Sequence, residues 1–198
     1  MKLPQLYDIF RQEWEKYQSV WLISDTHFDD EELYVGTKHI IRADSDDYVK
    51  LINSKCGKND LLIHLGDVGN LEAMKKVRAG HKVLVLGNHD SGASVYKEVF
   101  DEVYSGPVMI GEKIILSHES LGLDWAFNIH GHVHSPNAKN EKNCFNVCPD
   151  ATGCFVPISL KKILEGGYMS GVKTIHRDTI DSATKRARKR GYKLGQKK

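Results

Sequence analysis

Short apolar runs that stop abruptly at polar, chemistry-bearing residues are what most constrain this chain. They point to a layered fold that carries its working groups at strand ends. The segments concerned are Asp25-Thr26-His27, Gly66-Asp67, Gly87-Asn88-His89-Asp90, Ser117-His118 and Gly131-His132-Val133-His134. Four of these five follow an apolar run that reads as a strand. Val20 to Ile23, Leu61 to Leu65 and Lys82 to Leu86 are three such runs. Between the last two, Asn70 followed by Leu71, Met74 and Val77 predicts a capped helix. Strand–helix–strand alternation of this kind predicts an α/β fold with a partly parallel sheet.

Beyond Asp90 the pattern changes. Val108 to Ile110, a Gly111-Glu112 turn and Lys113 to Leu116 predict a hairpin. Ala126 to Ile129 and Asn143 to Val147 predict further strands, and Ile158 to Leu164 and Asp178 to Arg190 predict helices. At the other end, Leu3, Leu6, Tyr7, Phe10, Trp14 and Tyr17 recur at three- and four-residue steps. They predict a helix over about 3–18 that docks on the body by its apolar face. Asp29 to Asp47 reads as a polar, acidic loop, followed by a weak helix through Tyr48 to Ser54. No repeat or linker divides the chain. It reads as a single domain over 1–198, with a core ending near Glu165 and a basic extension over about 167–198.

The 198 residues, 40% hydrophobic and 27% charged, suit a globular protein with one substantial core. No apolar run approaches the roughly 20 residues of a membrane span. Charges at Lys2, Asp8, Arg11, Glu13, Glu15 and Lys16 interrupt anything like a signal peptide, so the expected compartment is the cytoplasm. From Lys185 to Lys198 there are eight basic and no acidic residues, which leaves 20 basic against 26 acidic elsewhere. We read the run first as a solvated helix that aids solubility, and second as an attraction for nucleic acid. Cys56, Cys144, Cys148 and Cys154 lack the paired spacing of a zinc site and read as reduced thiols.

The motif residues are a mixture of hard oxygen donors and imidazoles, the set that a two-metal hydrolytic centre requires. Asp25 and His27 flank Thr26, and residues two apart in extended backbone point the same way, toward one ion. Asp67 follows Gly66, which permits a sharp turn, and its two oxygens could bridge two ions. Asn88 adds a neutral amide oxygen, and His118, His132 and His134 add imidazoles. Two divalent ions against two carboxylates and one bridging hydroxide leave a net positive centre, suited to an anionic phosphate ester. His89 stands beside Asn88 without being needed as a ligand, so it is the expected proton donor to the leaving oxygen. Asp90 either orients His89 or caps the following helix.

In order and spacing, these motifs resemble the calcineurin-like metallophosphoesterase superfamily, and most closely its small single-domain bacterial and phage members. The likeness spans roughly residues 19 to 165. It implies a four-layer α/β/β/α sandwich of mixed sheets with the metals at central strand ends. It implies Asp25, His27, Asp67 and His134 on one ion, and Asp67, Asn88, His118 and His132 on the other. It also implies a metal-dependent phosphodiesterase or phosphatase, with His89 beside the scissile phosphate. Two divalent ions are expected, manganese first, with iron, zinc or nickel as alternatives. Asn146-Val147 and Pro157 to Leu160 resemble the family's closing strand and helix.

The chain also departs from that pattern. Where small relatives have Phe-Gly-His after the first motif, this chain has Phe28-Asp29-Asp30. Asn146-Val147-Cys148-Pro149-Asp150 replaces an Asn-Val-Gly-Val-Asp-like ending. No expected ligand is missing, which argues against a non-catalytic binding protein on the same fold. The motifs set the reaction class and leave the phosphoester substrate open among monoesters, diesters, nucleotides and nucleic acid. The second reading is a nuclease that holds DNA or RNA through the basic tail. Of the other histidines, His64 and His130 are expected to be buried neighbours of the site. His39, His81 and His176 are expected to be structural or surface groups, and Arg42 a solvated side chain within reach of a phosphate.

Overall fold

A computed structural model describes residues 1–31, 44–138, 143–173, 182, 185, 186 and 188–191. His39, Arg42, His176, most of the Asp29–Asp47 loop, and most of the expected tail helix and basic run lie outside the described residues.

Among the described residues, nine strands form two mixed sheets. The first holds β1 (Val20–Ile23), β2 (Leu61–His64), β3 (His81–Val85), β4 (Glu102–Tyr104) and β9 (Ile158–Ser159), in the order β4-β3-β2-β1-β9. β1 to β4 are parallel, and β9 runs antiparallel to β1. The second sheet holds β5 (Val108–Gly111), β6 (Ile114–Leu116), β7 (Phe127–His130) and β8 (Cys144–Asn146). Its β5 and β6 form an antiparallel hairpin, while β6, β7 and β8 are parallel.

Period-two alternation makes this arrangement. Leu61 and Ile63 point between the sheets, whereas Leu62 points outward. Val83 and Val85 likewise face Ile114, Leu116, Phe127, Ile129 and Phe145 of the second sheet across a shared core. On the outer face, Ile23, Leu62 and Leu84 pack with α2 (Ser45–Asn53) and α3 (Leu71–Lys75). That double burial explains why the central strands read as continuous apolar runs. Asp44 caps α2 by accepting from Asp46 and Asp47 N–H, and Asn70 caps α3 by accepting from Glu72 N–H. The residues that follow α4 (Pro149–Thr152) and β9 close one end of the core. There α5 (Leu160–Glu165) buries Leu160 and Ile163, and Tyr168 stacks on Phe127.

Three expected elements differ in extent. The leading helix is only α1 (Asp8–Trp14). Pro4 biases Leu3 away from helical backbone, and Tyr7 N–H donates to Ile110 O at 2.9 Å, tying this segment to β5. Leu3, Leu6 and Trp14 are nonetheless buried, so the docked apolar face stands. The hairpin turn is Glu112-Lys113, because Gly111 still pairs with Ile114. Ile158 and Ser159 pair with Leu22 and Trp21 before the helix begins, so the expected Ile158–Leu164 helix starts at Leu160. None of the described helices is long and apolar enough to cross a membrane.

Candidate metal centre

All five motifs fall just past the C-terminal ends of strands. Parallel β1, β2 and β3 bring Asp25, His27, Asp67 and Asn88 to one edge of the first sheet, and parallel β6 and β7 bring His118, His132 and His134 from the second. Hydrogen bonds cross-link the loops: Asp25 N–H donates to Gly66 O at 2.9 Å, and His27 N–H to Asp67 O at 3.1 Å. Asp25, His27, Asp67 and His132 all take left-handed backbone, with φ of 51°, 40°, 58° and 66°. Such backbone costs non-glycine residues about 1–2 kcal/mol each, less for aspartate, and here it turns the side chains toward one point. Gly131 serves close approach. A Cβ there would lie 2.3 Å from Ser24 Oγ and 2.4 Å from Asp25 Oδ2.

Two sets of donor atoms meet at one oxygen. Asp67 Oδ2 lies 3.4 Å from His27 Nε2 and 3.3 Å from His118 Nε2. His134 Nε2 lies 3.4 Å from Asp25 Oδ1. On the other side, Asn88 Oδ1 lies 2.8 Å from His118 Nε2 and 3.0 Å from His132 Nδ1. Asp67 Oδ1 is taken up elsewhere, accepting from His89 N–H at 2.9 Å. The groups Asp25-His27-Asp67 and Asp67-His118-His132 are each compact enough to hold an ion.

Three observations fit this cluster to metal. His27 Nε2 is buried with no hydrogen-bond partner among the described residues. The carboxylate–imidazole separations of 3.3 to 3.4 Å exceed ordinary hydrogen-bond lengths. They suit donors about 2.1 Å from a shared ion, which stand about 3.0–3.4 Å apart in octahedral or tetrahedral geometry. The charges are complementary as well. Burial disfavours ionised Asp25, yet the neighbouring His134 outweighs it and holds the carboxyl below its ordinary range. Asp67 is likewise buried, yet His118 and His27 hold its carboxyl far below that range. Burial opposes charge on His134 too, but Asp150 and Asp25 push it up to about 12, so a cation bound there would take the place of its proton.

His89 is exposed at the rim, its ring edge-on to His27 with centroids 5.3 Å apart. Among the described residues, the Asp90 carboxylate bonds neither to the His89 ring nor to a helix N-terminus. It accepts from Asp67, Val68 and Gly87 N–H at 2.8, 3.0 and 2.8 Å, and from Tyr96 Oη at 3.0 Å. It therefore clamps two motif loops together. His64 and His130 are buried, as expected, with His64 Nε2 2.9 Å from Thr26 Oγ1.

Sequence reasoning missed the groups behind the imidazoles. Asp30 lies 3.1 Å from His27 Nδ1, and Asp150 lies 2.5 Å from His134 Nδ1. The Leu65 carbonyl lies 2.8 Å from His118 Nδ1. Asp30, three residues after His27, carried a local signal that its acidic neighbours masked. Asp150, sixteen residues from His134, carried only its place in the Asn146-Val147-Cys148-Pro149-Asp150 segment.

Comparison with known proteins matches residues 19–190 to the model of the calcineurin-like phosphoesterase family. The chain belongs to that family, whose members are metal-dependent hydrolases of phosphoester bonds. A comparison with curated proteins gives no match. Among solved structures, a protein of unknown function from Aquifex aeolicus is 26% identical, with a TM-score of 0.59 over 74% of this chain and 98% of that chain. It shares the fold. A nuclease, MPE, from Pseudomonas putida is 21% identical, with a TM-score of 0.41 over 58% of this chain and 61% of that one. The E. coli phosphoesterase YfcE is 18% identical, with a TM-score of 0.40 over 67% and 79%.

Proposed function

We propose that these residues form a dinuclear metal centre that hydrolyses phosphoric monoesters or diesters. The carrying observation is that Asp67 Oδ2 faces His27 Nε2 and His118 Nε2 at once, joining two donor sets. Asp25, His27, Asp67 and His134 would hold one ion, and Asp67, Asn88, His118 and His132 the other. Asp67 would serve both, while its Oδ1 also accepts from His89 N–H and so holds the carboxylate in place. Divalent ions there, manganese first, supply a nucleophile near neutral pH and offset charge on the phosphoryl oxygens.

The chain's own residues supply placement and a proton. His89 sits at the open rim, fixed through its backbone bond to Asp67, and its side chain has no hydrogen bond among the described residues. As the phosphorus–oxygen bond to the leaving group breaks, protonated His89 passes its proton to that oxygen and ends neutral. Asp90 acts at one remove, keeping the loops that carry Asp67 and Asn88 in register.

Metal analysis of manganese-reconstituted protein should find two ions per chain. It should also hydrolyse bis(p-nitrophenyl) phosphate or p-nitrophenyl phosphate, with activity lost in chelator. Undiminished activity after chelation would overturn the proposal. His89→Asn should keep both ions while turnover falls about 10²–10⁴-fold. Parallel loss of metal and turnover would make His89 structural.

A further inference from the structure

The imidazoles of the centre differ in what stands behind them. His27 and His134 each set Nδ1 against a carboxylate, Asp30 Oδ2 at 3.1 Å and Asp150 Oδ2 at 2.5 Å. His118 sets Nδ1 against a neutral carbonyl, Leu65 O at 2.8 Å. His132 turns its own Nδ1 inward, toward Asn88 and His118. Cys148 Sγ adds a longer contact, 3.6 Å from His134 Nδ1 and 3.7 Å from Asp150 Oδ2.

The two carboxylate-backed rings belong to the same donor set. A carboxylate on Nδ1–H fixes the tautomer with its lone pair on Nε2, holds the ring plane and makes Nε2 a stronger donor. The Asp25 set thus has two facing carboxylates, Asp25 and Asp67, and two more one ring behind. Among the described residues, the Asn88 set has the shared Asp67, a neutral amide and a neutral carbonyl behind His118. A cation in the first set meets more negative charge and better-fixed donors.

Resting on the dinuclear reading above, we infer that Asp30 and Asp150 are positioning residues that make the two metal positions unequal. The Asp25–His27–Asp67–His134 position fills first and holds its ion. The Asn88–His118–His132 position fills second and exchanges. The inequality comes from two carboxylates outside the ligand set.

Calorimetric titration of metal-stripped protein with Mn²⁺ alone tests this. Two resolved events are expected, at least about 10-fold apart in Kd. Asp150→Asn and Asp30→Asn should each weaken the tighter event by about 10–100-fold and leave the weaker one within about threefold. Asn88→Ala should do the reverse. Far-UV circular dichroism of the metal-free variants, close to that of the parent, shows that the fold is kept. A merely structural carboxylate would change that spectrum or weaken both events alike. Two ions bound with equal affinity, or variants that move neither event or both equally, would overturn the inequality while leaving the dinuclear reading intact. Uptake of fewer than two ions by the parent would overturn that reading and this inference with it.

Discussion

Asp90 shows how a motif residue can matter without touching substrate. Three backbone N–H groups and the Tyr96 hydroxyl converge on its carboxylate. Asp90→Ala would leave those donors without their acceptor, at about 1–3 kcal/mol each where water cannot replace it. We expect at least about 3 kcal/mol lost in urea unfolding of metal-free protein, together with weaker metal uptake. Stability unchanged from the parent would remove the clamp role. A second residue speaks to pH. Burial pushes His64 from its ordinary 6.5 down to about 4. Between those values the unfolded chain binds a proton that the folded chain does not. The contribution is therefore complete above about pH 6.5 and lost as pH falls toward about 4, worth about 3 kcal/mol in all. His64→Gln, whose amide can still reach Thr26, should flatten the fall in stability between about pH 6.5 and 4.5 in chelator. An unchanged slope would assign the fall to other groups.

Strand ends were the legible part of the sequence, since apolar runs and motif order located β1, β2, β3, β6 and β7 to within a residue or two. The three elements that differed were decided by contacts with distant chain. Tyr7 bonds to Ile110, Gly111 pairs with Ile114, and Ile158 pairs with Leu22, none of which periodicity encodes. The same holds within the site. The candidate donors were readable because few side-chain types can bind metal, whereas the contact of Asp150 with His134 required the tertiary fold. Gly131 joins the two levels, because its hydrogen fits where a methyl would meet Ser24 and Asp25. Gly131→Ala should therefore push the end of β7 from that of β1 and cut metal affinity at least about 10-fold, read by Mn²⁺ titration, while circular dichroism stays close to that of the parent. Unaltered affinity would mean that the loops yield freely.

Across the whole molecule, the centre lies on the seam between two sheets, with four donors from one and three from the other. Bound metal would couple the sheets in addition to their shared apolar core. At free metal about 100-fold above Kd, linkage adds about 2.7 kcal/mol per ion, each about 5–10 °C in Tm for a chain of this size. Scanning calorimetry with manganese and with chelator measures it, and coincident melts would argue against metal at the seam. The left-handed turns at Asp25, His27, Asp67 and His132 carry a consequence for selection. A population of variants screened for heat resistance alone, in chelator, is free to change those residues. The same population screened for phosphoester turnover must keep every one. Sequencing survivors of the two screens would separate what this chain needs to fold from what it keeps in order to work.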